Sequence, residues 1–294
     1  WRSDCCNVRL VLSYDATRHA MDGRGPLRVG LVGCSWFALK AHIPALLSLN
    51  SHAKLVAVCS RTRKSMAKAE AKIGDTIVRR HAKMEQMFSD PNVEVVLLVL
   101  PIPLMPAAIE AALRAGKHVL SEKPAATTME AAARLLAVQH ELGPRAPQWL
   151  VLENWQFKAS IAWLRARLQE GAIGRVLSAH CAHHHPEHHN SSDSSGGRGE
   201  ASWRSQPAHE GAWLVDVGVH WARALRILLG EPSECSAVLT TSDDGSMPRS
   251  ARGIGETASP PSASGAAHGW LTCEHCASAV TIALSAGRAK CGGS

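Results

Sequence analysis

Short apolar runs alternate with longer amphipathic stretches through the first half of the sequence, and this alternation restricts the fold more than any other feature. The apolar runs have the length and composition of buried parallel strands, and they cover residues 28–32, 54–59, 93–100, 117–120 and 148–152. The stretches between them have helical spacing and cover residues 36–49, 63–73, 105–115 and 128–142. Strands that alternate with helices predict an α/β fold built on a doubly wound parallel sheet.

The pattern changes near residue 152, where we place a domain boundary. The following elements are predicted beyond it: helices over 159–170 and 214–229, strands from Arg175 and over 235–241, an irregular loop over 242–267, and two strands joined by a turn over 269–286. We therefore expect one domain over residues 25–152 and a second, α+β domain over residues 153–294. Residues 1–24 are assigned to neither domain.

The composition restricts the partners and the location of the protein. The chain has 294 residues, 46% of them hydrophobic, which is enough to bury a sizeable core, and it has no run of about 20 apolar residues that would predict a membrane span. The net charge is +7, but only residues 60–65 concentrate basic side chains, so we expect no nucleic-acid partner. Nine irregularly spaced cysteines predict a reducing compartment, the cytoplasm, with an organelle as the alternative because the sequence begins at Trp1 and looks incomplete.

A glycine-containing turn, GCSWFA at residues 33–38, follows the first predicted strand and precedes the first predicted helix. Its spacing is that of a dinucleotide-binding turn, with Gly33 where the chain must turn tightly and Ala38 where the helix must pack closely on the strand. Ser35 replaces the second glycine, and its hydroxyl can donate to a phosphate beside the amides of the helix N-terminus. The turn predicts a pyrophosphate site, and a purely structural turn is the alternative.

The end of the second predicted strand indicates which dinucleotide binds. NAD-binding turns carry an acid about 20 residues after the glycines, where it binds the ribose hydroxyls. Here the strand ends in Ser60, Arg61 and Thr62, and no carboxylate is present. Hydroxyls and a guanidinium suit a 2'-phosphate, so the sequence predicts NADP rather than NAD. Basic residues that merely decorate a helix start are the alternative, although cations there oppose the helix dipole and favour an anionic partner.

Several segments together resemble the glucose-fructose oxidoreductase/inositol dehydrogenase (Gfo/Idh/MocA) family over residues 27 to about 240. The segments that carry the resemblance are RVGLVGCSWFALKAHIPAL, AGKHVLSEKPAATT, ENWQF, GAIGRV, WRSQP and GAWLVDVGVHWARALRILLG. The resemblance implies an N-terminal Rossmann domain, a C-terminal domain with an open, mostly antiparallel sheet, and NAD(P)-dependent hydride transfer at a carbinol or carbonyl carbon. The substrate class implied is a sugar, a polyol or a related small molecule. Because the second domain of the family normally continues further, we expect that domain to be truncated here.

The resemblance implies three catalytic residues, and the spacing of two of them places both on one face of a helix. Asp216 and His220 are four residues apart in a predicted helix, so their side chains project from one face. An imidazole titrates near neutral pH, which suits a group that takes a hydroxyl proton. The resemblance assigns that role to His220, with Asp216 orienting it and Lys123 hydrogen-bonding the reacting oxygen.

The resemblance also implies the residues that contact the dinucleotide. They are Gly33, Ser35, Trp36, Phe37, Ser60, Arg61, Thr62, Leu100, Pro101, Glu122, Lys123 and Asn154. The chain departs from the family pattern at four positions, Ser35, Met105, Ala212 and Arg223. Because of these departures, the resemblance does not identify the substrate.

Two other functions are alternatives to an oxidoreductase. A non-catalytic dinucleotide-binding regulator of the same fold would not need Lys123, Asp216 and His220 together, so their joint occurrence favours the enzyme. Metal binding by HCAHHHPEHH (residues 180–189) or LTCEHCASAV (residues 271–280) is the weaker alternative, because no complete ligand set is evident, and no metal site is predicted. We expect a small-molecule substrate and a homo-oligomer formed through the C-terminal sheet.

Overall fold

The computed structural model describes residues 25–49, 51–76, 78–177, 179–186, 212–231 and 277–284. The chain forms two compact units, Trp1–Asn154 and Trp155–Ser294. None of the helices in these described ranges is long and apolar enough to cross a membrane.

A six-stranded parallel sheet is the centre of the first unit. Its strands are β1 (Leu27–Val32), β2 (Ala53–Cys59), β3 (Arg79–His81), β4 (Val95–Leu98), β5 (His118–Glu122) and β6 (Trp149–Leu152). The strand order is β3-β2-β1-β4-β5-β6, which is that of a Rossmann fold and confirms the predicted α/β class. The order reverses between β1 and β4, and ligands bind such sheets at the carboxyl ends of the strands beside that point.

Helices connect successive strands of the sheet. They are a π-helical segment (Ala38–His42) that continues into α1 (Ile43–Ser48), α2 (Arg63–Ile73), α3 (Met84–Phe88), α4 (Met105–Arg114) and α5 (Met129–Glu141). The four predicted helices are confirmed, and two of them begin at threonine caps. The Thr62 side chain accepts a hydrogen bond from the Ser65 amide at 3.2 Å, and Thr128 accepts one from the Ala131 amide at 3.2 Å.

Apolar clusters cover both faces of the sheet, which explains why its central strands are rich in apolar residues. In β4, Val96 and Leu98 belong to one cluster, and Val95 and Leu97 belong to the other. The cluster of Val96 includes Ile109 and Leu113 of α4, whereas the cluster of Val95 includes Ile43 of α1. Each fully buried leucine contributes about 1.5 to 3 kcal/mol of hydrophobic stabilisation.

Strand β3 and helix α3 were not predicted, because both are short and polar interactions hold β3 at the edge. Asp90, whose side chain is 2% exposed, accepts hydrogen bonds from Arg79 at 3.2 Å and from the Asn92 amide at 2.9 Å, and its Oδ2 lies 3.1 Å from His81 Nε2. Burial raises the pKa of Asp90, but the hydrogen bonds from Asn92 and His81 and the charge of Arg79 outweigh it and lower that pKa to about 2. The ionised carboxylate therefore links β3 to the turn before β4.

The second unit contains a short 3-10 helix (Trp155–Phe157), two α-helices and two paired strands among the residues that are described. The α-helices and strands are α6 (Ala159–Gln169), β7 (Ala179–Pro186), α7 (Ala212–Leu229) and β8 (Ala277–Leu284). Strands β7 and β8 pair antiparallel, with Ala179 opposite Leu284. Both predicted helices are confirmed, and α7 begins two residues earlier than predicted.

One strand boundary in the second unit was predicted wrongly. The strand expected from Arg175 begins at Ala179, because the preceding turn is longer than its sequence indicated. Gly171 and Gly174 both adopt left-handed backbone conformations, with φ of 72° and 68°, and the chain after them is still outside the sheet at Leu177. The strand predicted over 235–241, the loop over 242–267 and the first part of the paired strands over 269–286 lie outside the described residues.

Candidate functional site

The turn after β1 requires glycine at its first position. Gly33 has a φ of 94°, and a Cβ atom built on it would lie 2.1 Å from the carbonyl oxygen of Val99. The Gly33 amide donates to the Cys59 carbonyl at 3.0 Å, so the turn is bound to the neighbouring strand β2. A Cβ at this position would also lie 3.4 Å from Leu100 Cδ2, which places Leu100 at the border of the turn. The absence of a side chain thus brings the backbone of β1 and β4 together at the carboxyl edge.

Ser35 has a local structural role in the same turn. Its Oγ accepts a hydrogen bond from the Ala38 amide at 3.4 Å, and its carbonyl accepts one from the Leu39 amide at 3.0 Å. The hydroxyl hydrogen of Ser35 is still able to donate to an anion. Trp36 is half exposed, with Lys40 Nζ 4.6 Å from its ring centroid, whereas Phe37 is partly buried.

The three residues at the end of β2 differ in what they contact. The Thr62 hydroxyl caps α2 and donates to Ser65 Oγ at 2.9 Å. Ser60 is partly buried, and its amide donates to the His81 carbonyl at 3.2 Å. Arg61 is exposed and forms no ion pair with any residue that the structure describes. Its guanidinium is therefore the member of this group best able to bind a phosphate.

The end of β5 contains a short chain of hydrogen bonds. Glu122 accepts with both carboxylate oxygens: Oε1 lies 2.8 Å from His42 Nε2, and Oε2 lies 3.2 Å from the Lys123 amide nitrogen. Lys123 follows β5 as Leu100 and Pro101 follow β4, so these residues share the carboxyl edge of the sheet with the Gly33 turn. His42 was not predicted as a site residue, although it is a buried polar residue on an otherwise apolar helix face.

Asn154 follows β6 at the same edge and has an unsatisfied atom. Its Oδ1 is buried and has no hydrogen-bond partner within the part of the chain that is described. A buried acceptor without a partner costs about 1 to 3 kcal/mol, so a ligand donor at this position would stabilise the protein. Together with the glycine turn, this unsatisfied oxygen shows that the carboxyl edge fits a dinucleotide.

The second unit holds Asp216 and His220 on one face of α7, as their spacing predicted. Asp216 is buried, and the His220 ring stacks on Trp155 with centroids 5.1 Å apart and planes at 10°. Lys158 Nζ lies 3.7 Å from the centroid of the Trp155 ring. One turn beyond His220, Arg223 donates to Gln156 Oε1 at 2.8 Å. The segment after β6 therefore orients this face of α7.

The described cysteine and histidine side chains do not suggest thiol or metal chemistry. Burial raises the pKa of both the Cys34 and the Cys59 thiols to about 11, so both are protonated at neutral pH. No group of three or more His, Cys, Asp or Glu residues able to hold a metal occurs within the described ranges. The Cys273 and Cys276 pair and most side chains of the histidine-rich segment lie outside what the structure describes.

Comparisons with known proteins agree with this geometry. Residues 27–146 match a model described as the oxidoreductase family with an NAD-binding Rossmann fold, and residues 161–287 match the GFO/IDH/MocA C-terminal domain. The dehydrogenase FPY6 of Fusarium mangiferae is 31% identical, with 71% of this chain and 61% of that protein covered. The dTDP-3,4-didehydro-2,6-dideoxy-alpha-D-glucose 3-reductase of Streptomyces violaceoruber is 32% identical, with 69% and 55% covered.

A solved structure gives the same result at the level of the fold. KijD10, a 3-ketoreductase from Actinomadura kijaniata solved with NADP and TDP-benzene, is 28% identical and has a TM-score of 0.59. The alignment covers 72% of this chain and 60% of KijD10. The chain thus spans between 55% and 61% of the length of these relatives.

Proposed function

This chain belongs to the Gfo/Idh/MocA oxidoreductase family and carries its NAD-binding Rossmann fold, and from this premise we propose that it is an NADP-dependent oxidoreductase. It transfers hydride between nicotinamide and the carbinol or carbonyl carbon of a sugar, a polyol or a related small molecule. One observation carries the proposal: the Gly33 turn, Leu100 and Lys123 follow adjacent strands at a single sheet edge. Ligands of doubly wound sheets bind at that edge.

The residues at this edge bind and orient the dinucleotide. The Gly33 turn lets the backbone approach the pyrophosphate, and Ser35 donates its hydroxyl hydrogen to a phosphate oxygen. Arg61 binds the 2'-phosphate, and this contact selects NADP over NAD. Asn154 Oδ1 accepts a hydrogen bond from the cofactor. When bound, the nicotinamide ring supplies or accepts the hydride.

The proton of the reacting hydroxyl is handled by the side chains that the resemblance identifies. In the oxidation direction His220 takes that proton, and buried Asp216 orients the imidazole and stabilises its cation. The resemblance assigns to Lys123 a hydrogen bond to the reacting oxygen, and this bond stabilises the negative charge that develops there. In the reduction direction His220 would return the proton to the substrate oxygen.

The substrate class proposed for this chain follows from its relatives. One similar protein is named a 3-reductase of a dTDP-linked deoxyhexose, and another was solved with a TDP compound. We infer that a carbonyl compound of sugar size is reduced here. Reduction of a carbonyl needs a proton donor, and the resemblance assigns that role to His220.

Location and assembly are further parts of the proposal. Cys34, Cys59 and Cys181 are free thiols, which supports a reducing compartment, the cytoplasm. A homo-oligomer formed through the C-terminal sheet is proposed on the family resemblance, and sedimentation of the purified chain tests it. A monomer at all concentrations would contradict it.

The experiment for the catalytic function uses the purified chain. NADPH and NADH are titrated separately, and oxidation of each is then followed with a panel of keto sugars, aldehydes and small ketones. The proposal expects NADPH to bind more tightly and at least one carbonyl compound to be reduced. Binding without turnover across the panel would favour a dinucleotide-binding regulator, and binding of neither cofactor would refute both functions.

A further inference from the structure

A buried histidine connects the helix after the glycine turn to the segment that carries Lys123. His42 is 4% exposed, and its Nε2 lies 2.8 Å from Glu122 Oε1. Because a carboxylate only accepts hydrogen bonds, Nε2 is the donor. The other carboxylate oxygen of Glu122 accepts the backbone N–H of Lys123 at 3.2 Å. A continuous path of two hydrogen bonds therefore runs from His42 to the Lys123 backbone.

The local sequence explains why His42 points into the sheet edge. Pro44 has no amide hydrogen, and its ring would press on the carbonyl of Lys40 in a regular α-helix. The helix widens here into the π-helical segment Ala38–His42, and the Ile43 amide bonds to the Ala38 carbonyl. Such π-turns shift the side chains beside them and are frequent at functional sites. The His42 ring is further held by the edge of Phe37, with centroids 5.1 Å apart.

The hydrogen bonds of Glu122 to His42 and to Lys123 restrict the backbone of Lys123. A lysine side chain has a flexible stem, so the place of its ammonium group depends on a fixed backbone. Glu122 has both oxygens engaged, one by His42 and one by Lys123, and this fixes its side-chain conformation. Without His42 the carboxylate would lose one anchor and would be free to rotate away from the Lys123 amide.

We propose that His42 is a positioning residue that acts through Glu122 to fix the backbone of Lys123 for hydride transfer. The inference rests on the proposed function of Lys123, but the hydrogen bonds that carry it do not. A displacement of about 1 Å in a reacting group can cost about 100-fold in rate, so the link has a measurable effect on turnover.

Two substitutions of His42 distinguish the effect of losing the hydrogen bond from the effect of losing the volume of the ring. Gln places its amide nitrogen where Nε2 of His42 stands, so His42→Gln keeps the bond to Glu122. Asn is one methylene shorter, so His42→Asn does not reach the carboxylate. His118→Ala is the matched control, because His118 begins the same strand β5 at the opposite edge and its Nδ1 accepts the Gln148 amide at 3.0 Å. It removes a side-chain hydrogen bond from the same strand at the edge opposite Lys123.

The first measurement is hydrogen exchange at the Lys123 amide, which needs neither cofactor nor activity. We expect exchange to be about 10-fold faster in His42→Asn and unchanged in His42→Gln and His118→Ala. Equal protection of this amide in wild type and His42→Asn would overturn the proposal, whether or not any carbonyl compound is reduced. Because the readout is local, a globally destabilised variant is recognised by faster exchange throughout the sheet.

The second measurement is turnover with NADPH and the best carbonyl substrate of the panel. We expect His42→Asn to lower kcat about 10- to 100-fold with little change in the KM for NADPH, and His42→Gln to restore most of the rate. The kinetic isotope effect with deuterated NADPH should rise in His42→Asn, because hydride transfer becomes slower. An equal fall of kcat in His118→Ala would show that His42 has only a structural role. A wild type that binds NADPH but reduces nothing would refute the proposed function alone, and the exchange result would still decide whether His42 positions Lys123.

Discussion

Replacing Gly33 by alanine tests whether the turn after β1 is built around the missing side chain. Two destabilising contributions to the free energy of unfolding add in this variant. An alanine at a φ of 94° adopts a left-handed conformation that costs about 1 to 2 kcal/mol. The new Cβ would also lie 2.1 Å from the Val99 carbonyl oxygen, so the backbone of β1 or β4 must move, and such overpacking costs about 1 to 3 kcal/mol. The total is about 2 to 5 kcal/mol.

Gly116 offers a matched control for this prediction. Its φ of 77° is also left-handed, but a Cβ built on it meets nothing within 4 Å. Gly116→Ala therefore carries only the backbone cost, about 1 to 2 kcal/mol. The entropy that alanine removes from the unfolded chain is the same in both variants and cancels in the comparison. The difference between the variants isolates the contact with Val99.

Urea unfolding and NADPH titration of both variants provide the assay. Gly33→Ala should lose about 1 to 3 kcal/mol more stability than Gly116→Ala, and only Gly33→Ala should lose NADPH affinity, because the pyrophosphate approaches the Gly33 turn. If the two variants are equally stable, the close packing of Gly33 on Val99 is wrong. If Gly33→Ala binds NADPH normally, the turn is not the phosphate site.

Three further predictions concern selectivity, proton transfer and acid stability. Arg61→Ala should weaken NADP binding about 10- to 150-fold and leave NAD binding nearly unchanged, whereas Ser60→Asp should favour NAD. Titration with both cofactors tests this, and equal affinities of the wild type for NADP and NAD would contradict the selectivity. His220→Ala should lower kcat about 10²- to 10⁴-fold with NADP binding intact, and unchanged steady-state kinetics would remove His220 from the mechanism. Asp90 has a pKa of about 2 in the folded protein, below the usual value of 3.8, so the stability that its carboxylate contributes is complete above pH 4 and is lost as the pH falls through 2. Asp90→Asn should lower the free energy of unfolding by about 2 kcal/mol at pH 7 and should weaken its dependence on pH in acid. An unchanged pH dependence in acid would show that Asp90 does not cause the loss of stability there.

The sequence by itself determined the class of fold and the main elements of the first unit. Strands β1, β2, β4 and β5 are buried on both faces, so each contains an apolar segment that is visible in the sequence. Helices α2 and α5 carry threonine caps that mark their starts. Strand β3 and helix α3 escaped prediction because both are short and β3, which pairs with β2, consists only of charged or polar residues.

The sequence also indicated the positions of the candidate site, because its signals are local. A turn that needs glycine follows a strand, and two residues at a spacing of four share a helix face. Gly33 and Ser35 were found in this way, whereas Asp216 and His220 were identified through the family resemblance, and their spacing showed that they share a helix face. Their roles in binding and catalysis stay predictions.

Only the tertiary structure decided which side chains contact these residues and fix their positions. Glu122 and His42 are separated by 80 residues, and they meet because β1 and β5 flank β4 in the sheet while a π-turn directs the imidazole inward. Trp155 stacks on His220 although 65 positions separate them in the sequence. Hydrophobic periodicity specifies which face of an element is buried but not which polar group on another element lies against it. That pairing depends on strand order and on small changes of helical geometry, which arise only when the whole chain packs.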